Sequence, residues 1–153
     1  MTFRIIGNDR KRGLEWAVPR LMAGEGVHWD DASCLILEKQ GDIAAVAVYN
    51  RFYPGIAVEI SIASVGGRWL TRPFLAAVFG NPFLNWGLRR VSSSIAADNH
   101  KSIRFCEHLG FKREGLLRQA APNGQDLLIL GMLRDECRFI RGKYVEGFTS
   151  SRA

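Results

Sequence analysis

Ala97-Asp98-Asn99-His100-Lys101-Ser102-Ile103-Arg104-Phe105-Cys106-Glu107-His108-Leu109-Gly110-Phe111 decides the fold. It reads as the end of a strand, a capped helix of about three turns, and a glycine stop. Asn99 suits the N-cap, because its side-chain oxygen can accept from a free N–H of the first turn. Asp98 just before it suits the positive end of the helix dipole. Ile103, Cys106 and Leu109 recur at i, i+3, i+6 and share one face. Gly110 is placed for the left-handed conformation after the last turn, with Phe111 folding back onto Cys106. Local physics thus predicts a short helix between two strands.

The strand Ile56-Ala57-Val58-Glu59-Ile60-Ser61-Ile62-Ala63-Ser64 alternates cleanly. Ile56, Val58, Ile60 and Ile62 form a core face; Ala57, Glu59, Ser61 and Ala63 form the other. Small residues around a lone carboxylate suit a face kept open for a ligand. A solvated face, or Glu59 paired with a basic residue on a neighbouring strand, fits the same pattern.

The other segments supply the rest of a sheet. Thr2–Gly7 reads as a short edge strand. Asn8 or Asp9 can cap a helix carrying Leu14, Val18 and Leu21, with Pro19 kinking or splitting it. Ala23–Gly26 is a loop; His28 and Trp29 then border a substrate pocket or make only a surface contact. Ser33–Lys39 and Ile43–Tyr49 read as strands joined by the Gln40-Gly41-Asp42 turn, with another turn at Arg51–Gly55. A helix is expected from Pro73 to Phe79, with proline in its first turn. Strands follow at Arg90–Ala97, Phe111–Arg118 and Asp126–Leu133, and Arg134–Tyr144 reads as a terminal helix with Cys137, Ile140 and Phe139 inward. Residues 146–153 read as a frayed tail.

Composition bounds the function. The 153 residues fit one domain with a substantial core. Apolar runs fall short of the about 20 residues of a membrane span, and the N-terminus shows no secretory h-region. Three cysteines without metal spacing fit a reduced, cytoplasmic setting. The formal charge of +6 suits nucleic acid, an anionic surface or an anionic small molecule. However, the basic residues are scattered and no nucleic-acid motif appears, so a solvated basic surface is the simpler reading.

Asn99, Ser102, Phe105, Cys106, Gly110, Phe111, Glu114 and Gly115 together resemble the second cofactor motif of the GNAT family, the acyl-CoA-dependent N-acyltransferases. The segment Trp69–Val91 is similar to a subgroup associated with phages and prophages. The resemblance implies a mixed α/β (α+β) fold: a mostly antiparallel central sheet, helices on both faces, and a notch where the strands at Ile56–Ser64 and Arg90–Ala97 run parallel and splay apart. It implies that acetyl-CoA lies in that notch, with Ile62 and Ala63 offering main-chain groups, Asn99 a side-chain amide, and Ser102 near the pantetheine or phosphates. The family's pyrophosphate loop falls on Gly66–Thr71, so Arg68, Trp69, Leu70, Thr71 and Arg72 are the expected phosphate contacts. Trp69 and Thr71 stand where the family carries small residues.

The implied reaction is acetyl transfer to an amine, a small molecule or a protein amino group. An alkylammonium has a pKa of about 10, so a base must take its proton, and Glu59 is placed to do so. Counting seven on from Asn99 puts Cys106 where many family members carry a Tyr that protonates the leaving thiolate. Cys106 either donates that proton or packs as a small buried thiol under Phe111. A module on the same fold that binds acyl-CoA or protein without catalysis is the alternative function. The sequence leaves the oligomeric state open.

Overall fold

The computed structural model describes residues 2–21, 29–67 and 69–144. The expectations for His28, Arg68 and the tail at 146–153 fall outside the described residues.

Among the described residues, seven strands form one sheet in the order β1-β2-β3-β4-β5-β7-β6. They are β1 (Phe3–Ile6), β2 (Ser33–Lys39), β3 (Asp42–Tyr53), β4 (Ala57–Ser64), β5 (Arg90–Ala96), β6 (Lys112–Leu117) and β7 (Leu127–Leu133). All neighbours are antiparallel except β4 and β5. The helices α1 (Arg10–Ala17), α2 (Arg72–Gly80) and α3 (His100–Leu109) cover it.

Strand alternation divides the core between the two faces. Leu35, Leu37, Ala45, Ala47, Tyr49, Val58 and Ile60 join the apolar residues of α2 and α3. Cys34, Ile36, Val46, Val48 and Ala63 join Ala17 and Leu14 of α1. Gly13 lets α1 approach closely, since a Cβ there would collide with the Cys34 Sγ. On the opposite face the Tyr49 hydroxyl donates to the Val78 carbonyl at 2.6 Å, tying α2 to β3. Phe79 stacks on Phe139 with centroids 4.9 Å apart.

The opening stretch folds as read. Asn99 caps α3, its Oδ1 accepting from the Ser102 N–H at 3.3 Å. Gly110 adopts φ 112, where a side chain would be strained. The Phe111 N–H donates to the Cys106 carbonyl at 3.0 Å, closing the helix end.

The first helix stops at Ala17, the break expected around Pro19, which has no N–H to continue the ladder. Two expectations are corrected, the turn at Arg51 and the terminal helix. β3 runs on to Tyr53, past the turn expected at Arg51, through a bulge between Asn50 and Tyr53. The Asn81–Asn85 segment is a π-helical turn: Pro82 has no N–H to continue α2, and the Trp86 N–H reaches the Asn81 carbonyl instead. The terminal helix is replaced by two 3₁₀ turns, Arg134–Glu136 and Arg138–Ile140. Cys137 between them is extended (φ −83, ψ 110), so Cys137 and Phe139 point inward two residues apart.

Candidate functional site

The β4–β5 junction builds the site. Their parallel pairing comprises Ala57↔Arg90, Val58↔Val91 and Glu59↔Ser92, and stops there. Beyond it the strands diverge, leaving Ile60–Ser64 and Ser93–Ala96 facing each other across a gap. Backbone N–H and C=O groups along such an interior edge need partners from outside the sheet.

A cavity of about 720 Å³ runs through this gap. One wall is β4, with Glu59, Ile60, Ser61 and Ile62. The other is β5 and α3, with Ser93 to Ala96, Asn99, Ser102, Phe105 and Cys106. Beyond Glu59 the cavity reaches Asn50, Arg51, Trp29, Leu21 and Arg20. Of the residues expected at the site, Glu59, Ile62, Asn99, Ser102 and Cys106 are therefore brought together.

Glu59 keeps 17% of its side chain exposed and sits 3.5 Å (Oε2) from the Arg51 Nε. Glu59 is thus paired with a basic residue of the neighbouring strand while it also lines the cavity. Asn50 lies directly across from Glu59 in register. It is 5% exposed, and its Oδ1 has no hydrogen-bond partner among the described residues.

Asn99 uses its Oδ1 to cap α3, so the Nδ2 is the part of its amide left for a ligand. The Cys106 Sγ lies 3.9 Å from the Ser93 Oγ. Burial raises the Cys106 pKa to about 11, with the Ser93 contact opposing. The thiol therefore stays protonated at neutral pH. It is also a weaker acid than an ordinary thiol. Its S–H is suited to donating a weak hydrogen bond rather than giving up its proton.

The expected phosphate loop stands apart from this cavity. Trp69 is only 6% exposed and packs against Phe74 and Phe105, centroids 6.3 and 5.3 Å away. Thr71 caps α2, its Oγ1 accepting from the Phe74 N–H at 3.3 Å. Pro73 has no N–H, and the Leu75 N–H donates to the Thr71 carbonyl at 3.0 Å. Of this first turn, Arg72 alone keeps an N–H without an intrahelical role. Leu70 is 41% exposed beside it. Ala63 is not among the residues that line the cavity; its side chain packs in the core beneath α1.

The sequence reading passed over Asn50 and placed Arg51 in a turn. The signal for Arg51 was weak: a basic residue at the end of an apolar run gives no sign of a bulge. Trp29 does border the cavity, one of the two roles its neighbourhood allowed.

Parallel strands that part after three residue pairs, in the middle of an otherwise antiparallel sheet, decide the architecture. The chain has the GNAT fold. A chimera of the spermidine N-acetyltransferase SpeG of Vibrio cholerae with hSSAT superposes with a TM-score of 0.70 at 14% identity, over 92% of this chain and all of that one. A ribosomal L7/L12 alpha-N-protein acetyltransferase, RimL, in complex with coenzyme A superposes with a TM-score of 0.58 at 20% identity, over 67% of this chain and 62% of that one. A probable acetyltransferase gives 0.56 at 20% identity, over 69% and 63%. No family model and no curated protein sequence matches the chain. Among the described residues of this GNAT-fold chain, no helix is long and apolar enough to cross a membrane, and no cluster of His, Cys, Asp and Glu could hold a metal ion.

Proposed function

We propose that the chain is an N-acyltransferase that moves an acetyl group from acetyl-CoA to a primary amine, with Glu59 as general base. One observation carries this reading. The cavity through the β4–β5 gap is lined by a half-buried carboxylate on one strand and by the capped start of α3 on the other.

The donor set fits a pantetheine arm. Its amides match the unpaired backbone edge beyond Glu59, and the Asn99 Nδ2 adds a donor. Support for the diphosphate is thinner. The expected contacts Arg68, Trp69, Leu70, Thr71 and Arg72 reduce, among the described ones, to the N–H and guanidinium of Arg72. When bound, acetyl-CoA supplies the thioester carbonyl that accepts the nitrogen.

The residues of this chain do the rest. Glu59 takes the ammonium proton, directly or through one water, so that the nitrogen has a free lone pair. The Arg51 guanidinium faces the Oε2, and the Oε1 accepts no hydrogen bond from the described residues. Cys106 offers a protonated S–H near Ser93, and water remains the proton source for the departing thiolate. That spermidine and a protein α-amine are the acceptors named for two similar structures supports an amine acceptor in general.

The second reading is a non-catalytic binding module. Its support is the occupied first turn of α2 and the high pKa of Cys106. Thermal denaturation with and without acetyl-CoA tests the shared premise, because a ligand that binds only the native state raises its stability. Thiol release with a panel of amines then separates the two. Turnover that collapses in Glu59→Gln supports the enzyme. A stabilised protein without turnover on any amine, indifferent to Glu59→Gln, supports the module.

A further inference from the structure

Resting on the acyltransfer reading, we infer that the acceptor is a primary amine that also carries a carboxylate, with its amine at Glu59 and its carboxylate on Arg51.

Among the described residues, the acceptor end of the cavity carries the cations of Arg51 and of Arg20, the latter drawn onto the Trp16 ring and carbonyl, against the carboxylate of Glu59. Asp31 does not rebalance it. Its Oδ2 accepts from the Arg51 and Phe52 backbone N–H groups at 3.1 and 3.5 Å, and it does not line the cavity. A polyamine bound at Glu59 would have to bring its remaining ammonium groups past the Arg51 guanidinium.

Arg51 reaches this place through a strained device. It has φ 53, a left-handed conformation disfavoured for a residue with a side chain, at a bulge that interrupts the β3–β4 ladder. Strain of this kind persists only where the surroundings hold it, and Asp31 does so through the two backbone bonds. The bulge brings the Arg51 Nε to 3.5 Å from the Glu59 Oε2. The guanidinium donates no hydrogen bond within the described residues, so its outer N–H groups are available for a bidentate carboxylate.

The spacing of the pair selects the ligand. A cation and an anion 3.5 Å apart complement a zwitterion whose own charges are close together. In an α-amino acid a single carbon separates amine and carboxylate, so both ends meet their partners at once. Trp29 and Leu21 offer an apolar wall for the remaining side chain.

Calorimetric titration of the full chain, with and without saturating coenzyme A, tests this with pairs that differ only in the carboxylate: L-phenylalanine against phenethylamine, L-lysine against cadaverine, and spermidine besides. The acid member of each pair is expected to bind at least about tenfold more tightly. That ratio is expected to fall towards one in Arg51→Gly, which suits the left-handed backbone and so spares the fold. Arg51→Lys, which keeps the charge without the fork, is expected to fall between. Equal or weaker binding of the acid members, no binding of either member, spermidine as the tightest ligand, or an unchanged ratio in Arg51→Gly would each overturn the assignment. Parallel thiol-release assays keep the two readings apart. An amino acid that binds but is never acetylated leaves this assignment standing and removes the acyltransfer reading. Acetylation without any preference for the carboxylate does the reverse.

Discussion

Two helices begin side by side in this molecule, and they begin alike. Thr71 caps α2 and Asn99 caps α3, each accepting the N–H three residues on at 3.3 Å. Trp69 before the first and Phe105 within the second lie 5.3 Å apart. Yet α3 opens onto the cavity through Asn99 and Ser102, while the start of α2 does not line it. A helix N-terminus attracts anions only through N–H groups that are free. In α2 the first turn is closed by Pro73, by the Thr71 cap and by the Leu75 bond, and Trp69 fastens the preceding loop into the core. The lesson is that position in a fold does not by itself confer a role. The same structural slot serves packing in one wall and borders the cavity in the other.

The largest effect that would break this contrast concerns the chemistry. Glu59→Gln is expected to lower the rate of acetyl transfer by about 10²–10⁴-fold, with the rise in melting temperature on adding acetyl-CoA retained. Rate loss accompanied by loss of that rise would mean that Glu59 holds the fold or the cofactor instead. Next comes Trp69→Ala. Removing a buried indole costs about 3–5 kcal/mol, read as a lower urea midpoint. If stability held and cofactor affinity alone fell, Trp69 would belong to the binding wall after all.

A pH series probes burial in both walls. Burial raises the pKa of Cys106, in α3, and of Cys137, beneath α2, to about 11 from an ordinary value of 9.0. Above pH 9 the unfolded chain releases these protons while the folded chain keeps them. Stability is therefore full below pH 9 and declines between pH 9 and 11. Melting temperatures measured across that window should fall, and should fall less in Cys106→Ala than in the parent. The smallest effects come from the caps themselves. Thr71→Ala and Asn99→Ala should each cost about 1 kcal/mol of stability. Titration with coenzyme A should then distinguish them, with affinity reduced in Asn99→Ala and preserved in Thr71→Ala. Equal losses would erase the contrast.

The legibility of the sequence follows the same division. α3 was readable because its signals are local: Asn99, the apolar positions, Gly110 and Phe111 all act within one segment. β4 was readable because strict alternation survives in its side chains. The β3 bulge was not, since it depends on Asp31 reaching backbone groups some twenty residues away. The terminal helix was misread for a related reason. Cys137, Phe139 and Ile140 fit helical spacing, but packing of Phe139 on Phe79 and the Glu136 carboxylate on the Leu133 N–H favour short turns. At the cavity, the places of Glu59 on the β4 wall and of Asn99 at the start of α3 followed from residue type and spacing. Asn50 did not, because an amide at the end of an apolar run gains meaning only when Glu59 is seen opposite it.

The bulge at Arg51 has an evolutionary consequence. An extra residue in a strand is an insertion that the sheet has already absorbed, at the rim where Phe52 and Tyr53 are exposed. Changes of length or residue there leave the register of Ala45 to Asn50 against β4 untouched, and with it the core of both faces. On the proposed function, acceptor preference can drift at this position while Glu59 and the β4–β5 gap stay fixed. In a lineage of such chains, this rim should be the fastest-diverging part of the site.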